Sequence, residues 1–287
     1  MCIRPSRLAL LVAVALVAGA CSAGPTVPSH PTDADQLIAG IAVVTRDDTP
    51  EQRLLAYPVA SLYGDGRLIR PGPQVAIYPG PALPNLIVTQ LDPAGVDAIL
   101  LAAEAAGIVG ADQEIRFPIV ENPPITVFVV FSDGARHQTI VEALGLEQPN
   151  DGRLSPAARA QRDAMKALVA LMTEPRTSLA ASVVGDDAPY EPTALRLLVS
   201  PIDPTAEPSP IPPTTRDWPL ATGLAELGQV VTDAPDIRCG TVDGADFVAL
   251  YPLAKESNEL TRWASDGVEY TVRFRPLLPG ESSGCGS

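Results

Sequence analysis

The chain has 287 residues, of which 46% are hydrophobic and 19% are charged, and it contains 31 prolines and 22 glycines. This hydrophobic content supports one large or two small domains with apolar cores and excludes wholesale disorder. The prolines and glycines indicate many turns and loops. The formal net charge of −14 makes nucleic acid a poor partner, because an acidic surface repels phosphates.

The first 20 residues have the features of an export signal. Arg4 and Arg7 precede an apolar run from Leu8 to Val17, which is too short to span a bilayer as a helix. The small residues that follow stop at Cys21, and the segment 17–21 resembles a bacterial lipobox, in which the cysteine is acylated. We therefore predict a signal peptide at 1–20 and lipidation of Cys21. An ordinary cleavage site with an unrelated cysteine nearby is the alternative.

Residues 21–36 are polar and contain several prolines, which predicts a flexible tether. Order is expected from Leu37, with strands at 37–44 and 54–63. The turn Gly64-Asp65-Gly66 then leads into a strand at 67–70, a strong hairpin signal. A loop rich in proline and glycine (71–84) and a short strand (86–90) follow.

Two helices are predicted from their capping residues. The first begins at Asp92, followed by Pro93, and Gly107 can close it. Between the helices, residues 125–131 (ITVFVVF) place apolar side chains on both alternating faces of an extended strand. This pattern predicts a central strand covered on both sides. The turn 132–134 leads into a further strand. The second helix begins at Ser155 and ends near Met172.

The apolar stripe of the second helix consists of Ala164, Met165, Leu168, Leu171 and Met172. Arg159, Arg162 and Lys166 are expected on its solvent side. A strand at 195–199 completes a main α+β domain over 37–200.

Seven prolines predict an extended linker over 201–219. Residues 220–287 form a smaller unit with a strand at 239–242, a helix from Asp243 interrupted by Pro252, and a strand at 268–277. The expected fold is α+β, with a mostly antiparallel sheet, a few packed helices and a smaller C-terminal α+β unit.

Four cysteines occur in the chain. Cys2 leaves with the signal and Cys21 takes the lipid, so Cys239 and Cys285 remain for one disulfide in an exported protein. A reactive or metal-binding thiol pair is the alternative, which no CxxC spacing supports.

The hairpin Tyr63 to Arg67 is the first candidate ligand surface. Tyr63, Asp65 and Arg67 can present a phenol, a carboxylate and a guanidinium at its tip. The competing interpretation is turn chemistry, in which Gly64 and Gly66 permit positive φ and Asp65 caps its own turn.

The aromatic and acidic residues offer further candidates. Trp218 and Trp263 can stack on a sugar or pack the proline-rich strap onto the small unit. The acidic clusters 47–48, 186–187 and 233–246 are solvated loops or, alternatively, a source of paired carboxylates for glycoside hydrolysis. The chain has only two histidines, His30 and His137, which argues against a multi-histidine zinc site. We expect no catalytic residues, cofactor or metal.

Four segments carry a family resemblance: 62–69 (LYGDGRLI), 190–194 (YEPTA), 218–220 (WPL) and 275–279 (RPLLP) before a terminal cysteine. The chain resembles a family of uncharacterised actinobacterial lipoproteins with an LYGDGR hairpin motif. The resemblance covers most of the mature chain and implies location and architecture, not an activity.

These observations predict a protein exported and lipid-anchored to the outer face of the cytoplasmic membrane. The favoured hypothesis is a non-enzymatic module that binds an envelope protein or an extracellular ligand. The alternative is an envelope hydrolase that acts on glycan or peptide through carboxylates, with Trp218 or Trp263 in its cleft. A structural or assembly accessory protein is the third possibility.

Overall fold

The structure is a computed structural model that describes residues 26–117, 121–148, 151–202 and 210–285. The predicted signal peptide, Cys21 and part of the proline-rich segment 201–219 lie outside the described residues.

Two mixed, mostly antiparallel sheets form the framework, which confirms the α+β prediction. The first sheet has the order β5-β7-β6-β1-β2-β3-β4-β8 and the second the order β10-β13-β14-β9-β12-β11. Only the β5–β7 and β10–β13 pairs are parallel among the described strands. The strands of the first sheet are β1 (Leu37–Val44), β2 (Ala60–Tyr63), β3 (Arg67–Pro71), β4 (Leu86–Leu91), β5 (Gln113–Ile115), β6 (Ile125–Ser132), β7 (Ala135–Glu142) and β8 (Val184–Pro189). Those of the second are β9 (Ala194–Pro201), β10 (Thr215–Asp217), β11 (Gln229–Val231), β12 (Ala234–Asp243), β13 (Arg262–Ser265) and β14 (Val268–Pro276).

The helices are α1 (Pro50–Leu55), α2 (Pro93–Ala105), α3 (Pro156–Thr173), α4 (Pro175–Ser178) and α5 (Gly244–Lys255). The two long predicted helices begin where their caps indicate. The Asp92 side chain accepts from the N–H of Gly95, and the Ser155 side chain accepts from the N–H of Ala158. Gly107 ends the first of them with φ of 69°.

Each sheet has its own apolar core. Helices α2 and α3 pack on one face of the first sheet, where Ile99 and Met165 meet Leu62 and Phe128. The second core surrounds Trp263 and includes residues of α5. Strand β9 belongs to the second sheet, although the sequence assigned it to the main domain. The end of the proline-rich segment also joins this sheet as β10.

The predicted strand 54–63 is correct only over 60–63, because Leu54 and Leu55 belong to helix α1 and residues 56–59 connect it to β2. The Thr49 side chain accepts from the N–H of Gln52, and the Gln52 side chain accepts from the N–H of Thr49. With Pro50 at the first helical position, this capping box favours a helical turn over an extended strand.

Arg162 is also a correction, because it is buried instead of lying on the solvent side of α3. Its Nη2 atom donates to the carbonyls of Glu142 and Ala143 and to the Glu147 carboxylate. The guanidinium lies 4.9 Å from the ring centre of Phe117. The buried charge is thus compensated by an acid that lies outside the helix, which helix periodicity does not reveal.

Part of the predicted tether is bound to the first sheet. The N–H and hydroxyl of Ser29 both donate to the Asp133 carboxylate, and the N–H of Asp133 donates to the carbonyl of Ser29. Further along, the N–H of Gly64 donates to the carbonyl of Gln36. Residues 29–36 therefore follow the end of the sheet at which β1 begins.

The predicted disulfide is confirmed, since the sulfur atoms of Cys239 and Cys285 are bonded. It fixes the C-terminal segment, residues 277–285, against β12. The same segment also contacts the first sheet, because Leu278 packs with Tyr63 of β2 and Ile69 of β3. The hydroxyl of Tyr190, the residue after β8, donates to the carbonyl of Leu277.

Candidate functional site

A groove opens on the face of the first sheet opposite α2 and α3. In β6, Phe128 and Val130 are buried against the helices, whereas Val129 and Phe131 on the other face are only half-buried. The prediction that β6 is covered on both sides therefore holds for one face only. The groove on the second face has a volume of about 680 Å³, which lies within the range of small-ligand sites. We call it the outer groove.

The floor of the outer groove is apolar. Leu37 of β1 lies opposite Tyr63 of β2, and cross-strand partners share a sheet face. Val129 and Phe131 continue the floor from β6. Tyr63 is buried and packs with Leu278 of the C-terminal segment. Burial raises the pKa of the Tyr63 phenol above its ordinary value, so this hydroxyl is neutral at physiological pH.

Two segments far apart in the sequence form the walls of the outer groove. Residues 33–36 form one wall and residues 278–281 form the other. They approach closely, since a Cβ atom on Gly280 would lie 2.6 Å from the carbonyl oxygen of Asp35.

Two of the three carboxylates that line the outer groove are ion-paired, and the third, Asp33, accepts from the N–H of Asp35. The Arg67 guanidinium contacts Asp35 at 2.9 Å, and Arg275 contacts Glu281 at 2.6 Å. Burial by itself raises the pKa of Glu281, but the hydrogen bonds and charge of Arg275 outweigh this effect and hold the pKa below its ordinary value. The Glu281 carboxylate is therefore ionised near pH 7, and Arg275 neutralises its charge.

One cation lines the outer groove from a strand. Arg136 lies opposite Phe131 in the β6–β7 pair, and its Nη2 donates to the Gln138 side chain at 2.7 Å. It has no ion pair within the described ranges. The groove thus combines an apolar floor with a few polar groups at its edge, the pattern of a ligand site.

The structure brings the three hairpin residues together, with the Arg67 guanidinium 5.9 Å from the ring centre of Tyr63, but Tyr63 is buried. Asp65 accepts from both the N–H and the Nε of Arg67, so these side chains satisfy each other. Tyr63 faces the groove floor and not the hairpin tip. Gly66 has φ of 84°, as the turn interpretation expects. Gly64 is required for a different reason, because a Cβ atom there would lie 2.1 Å from the carbonyl oxygen of Asp33.

The tryptophans pack the second core. Trp263 is fully buried and lies edge-on to Trp218, with ring centres 5.6 Å apart. The Trp218 indole N–H donates to the carbonyl of Thr222. This arrangement matches the packing interpretation, and a buried Trp263 cannot stack on a sugar from solvent.

The acidic candidates Asp186 and Asp187 and the histidine His30 make structural contacts. Asp187 accepts from Thr89 and from Arg70, and Arg176 pairs with Asp186. Nδ1 of His30 donates to the carbonyl of Pro31. Across the described part of the chain, no three His, Cys, Asp or Glu side chains cluster to hold a metal ion.

The residues of the groove walls are the part of the candidate site that the sequence did not indicate. The only local signal was the pair Leu277-Leu278 between prolines, an apolar pair in a segment otherwise typical of a loop. Nothing near residues 33–36 in the sequence indicates which strand they contact.

No family model, curated protein or solved structure matches the chain. Among the described residues, no helix has the length and apolar character needed to cross a membrane.

Proposed function

We propose that this protein is an exported, lipid-anchored envelope protein that binds a ligand with an apolar body in the outer groove. The groove of about 680 Å³ with its floor of Leu37, Tyr63, Val129 and Phe131 is the observation that carries the proposal. We also propose that the chain belongs to the actinobacterial lipoprotein family that it resembles.

The proposed location rests on the N-terminal sequence. The apolar run before Cys21 favours export, and acylation of Cys21 supplies the anchor. The Cys239–Cys285 disulfide supports an oxidising compartment. Asp33 of the groove wall lies twelve positions after Cys21. An extended chain of that length reaches about 40 Å, so the proposed ligand site lies close to the bilayer.

Binding fits the site better than hydrolysis does. A carboxylate pair in a hydrolase needs one acid whose pKa is raised and one that is free to act. In the outer groove, Arg67 neutralises Asp35, and Arg275 lowers the pKa of Glu281. The third acid, Asp33, accepts from the N–H of Asp35, so the described residues of the groove offer no pair of free carboxylates.

The binding proposal is tested by filling the groove. Val129→Trp places a large side chain on the groove floor, and Val268→Trp makes the same change at an exposed position on the β13–β14 hairpin. The probe is 1-anilinonaphthalene-8-sulfonate, an apolar ring system with an anionic group. We expect saturable fluorescence with wild type and Val268→Trp and at least tenfold weaker binding with Val129→Trp. Equal binding by both variants, with unchanged thermal melts, would refute the groove as the ligand site.

The anchor is tested separately by fractionation. Cys21→Ala removes the acylated thiol, and we expect the protein to move from the membrane fraction to the soluble fraction. The control is Cys239→Ala, which leaves Cys21 intact and should leave the protein in the membrane fraction. Unchanged membrane association of Cys21→Ala would refute the anchor.

A further inference from the structure

We propose a second binding surface, distinct from the outer groove: the loop segment 75–78 docks into an apolar pocket with a basic rim on a partner protein. This segment has the sequence Val75-Ala76-Ile77-Tyr78, and we call it the apolar tip. It lies in the loop that connects β3 to β4.

The apolar tip is exposed to solvent. Val75 is 65% exposed, Ile77 64% and Tyr78 56%. Single exposed apolar residues are common on protein surfaces, but a contiguous exposed group marks an interaction surface. Three large side chains within four residues form such a group.

The loop holds the apolar tip between two fixed points. On one side, the N–H of Gly72 donates to the carbonyl of Asn85, and the Asn85 side chain donates to the carbonyl of Pro73. On the other side, the N–H of Gly80 donates to the Glu259 carboxylate, and the N–H of Glu259 donates to the carbonyl of Gly80.

Five prolines between 71 and 84 restrict the backbone further. A segment held in this way loses little conformational entropy on binding. The loop is therefore preorganised to present the apolar tip.

The position of the apolar tip favours a partner other than the membrane. The N-terminal segment is bonded to the end of the first sheet that holds Asp133 and Arg67. Strand β3 runs from Arg67 to Pro71 and carries the chain about 13 Å to the opposite end of that sheet. The loop then leaves from this end, which lies away from the N-terminal segment that leads to Cys21.

The negative charge near the apolar tip favours a protein partner with a basic surface. Glu259, beside the base of the loop, is exposed and has no ion pair within the described residues. The formal charge of the chain is −14, so a second copy of this chain would be repelled. A partner with lysine or arginine around an apolar pocket complements both the apolar tip and this carboxylate.

The first stage of the test is photocross-linking in intact cells with the full anchored chain. A benzophenone amino acid replaces Ile77 in one variant and Val248 in another. Val248 is 70% exposed on α5 and serves as the control. We expect position 77, but not position 248, to form an adduct with one different protein. An adduct of two copies of this chain, an adduct with lipid alone, or no adduct at position 77 would overturn the proposal.

The second stage measures affinity with the purified adduct partner. We expect Ile77→Ser to weaken binding at least tenfold and Val248→Ser to leave it within twofold, with equal thermal melts for both. Glu259→Gln and added salt should each weaken binding, because the partner rim is basic. Equal affinities for the two serine variants, or affinity that is insensitive to both salt and Glu259→Gln, would overturn the proposal.

Discussion

Replacing Glu281 with glutamine removes the negative charge from a largely buried ion pair that joins the C-terminal segment to β14 of the second sheet. The Arg275 side chain is only 4% exposed, and it contacts Glu281 through two hydrogen bonds of 2.6 and 2.8 Å. Its Nε also donates to the carbonyl of Ala56, and its guanidinium lies 4.4 Å from the ring centre of Tyr57. The variant therefore leaves a buried guanidinium without its counter-charge.

The expected loss of stability follows from that uncompensated charge. Removing one partner of a buried ion pair costs about 3–5 kcal/mol. The amide introduced by Glu281→Gln can retain one hydrogen bond, so we expect the lower end of this range. For a chain of this size, a loss of about 3 kcal/mol lowers the melting temperature by about 5 °C.

The assay is urea denaturation and thermal melting of the wild type and two variants. The matched control is Glu256→Gln, which makes the same change in an exposed pair with Arg216 at 3.4 Å. Exposed pairs contribute about 0–1 kcal/mol, so this control should melt close to the wild type. Equal destabilisation by Glu281→Gln and Glu256→Gln would show that the pair with Arg275 does not stabilise the fold as we argue.

The dependence on pH provides an independent test of the same pair. Burial raises the pKa of Glu281, but Arg275 lowers it by more, so the folded-state pKa lies below the ordinary value of 4.5. The stabilisation is therefore complete above about pH 4.5 and is lost as the pH falls through the folded-state pKa. We expect the stability gap between wild type and Glu281→Gln to narrow below pH 4.5. A gap that is constant from pH 7 to pH 3 would contradict this assignment.

Three other changes have defined outcomes. Gly64→Ala puts a Cβ atom 2.1 Å from a backbone oxygen of the N-terminal segment, so we expect a loss of about 1–3 kcal/mol in urea denaturation. The control is Asp65→Asn, which keeps the oxygen that accepts the hydrogen bond in the turn and should change stability by less than about 0.5 kcal/mol. Equal losses of stability in Gly64→Ala and Asp65→Asn would disprove the steric explanation. Replacing Cys239 and Cys285 with serine opens a loop with a sequence separation of 46, and we expect a stability loss of up to about 4 kcal/mol. Alkylation of the denatured, unreduced wild type tests the bond itself, and the detection of two free thiols would refute it. Trp263→Ala should cost about 3–5 kcal/mol by thermal melting, and a melt like that of wild type would mean that the second core does not depend on this ring.

Interactions within a few residues were accessible from the sequence. The caps at Asp92 and Ser155 bond to N–H groups three residues later, and the turn at Gly66 needs a backbone conformation that glycine adopts freely. The Cys239–Cys285 pairing followed from counting, because only two cysteines remained after the predicted processing. Alternating apolar residues located most strands, including β6 and β14.

Contacts between distant residues decided the rest. The outer groove needs β1, β2 and β6 side by side, with walls from residues 33–36 and 278–281, which lie more than 240 residues apart in the sequence. Arg162 has the spacing of a solvent-facing residue, yet it is buried because Glu147 and two carbonyls approach it from outside α3. Periodicity reports which residues share a face of one element. Only the packed chain determines which charge, carbonyl or ring lies against that face.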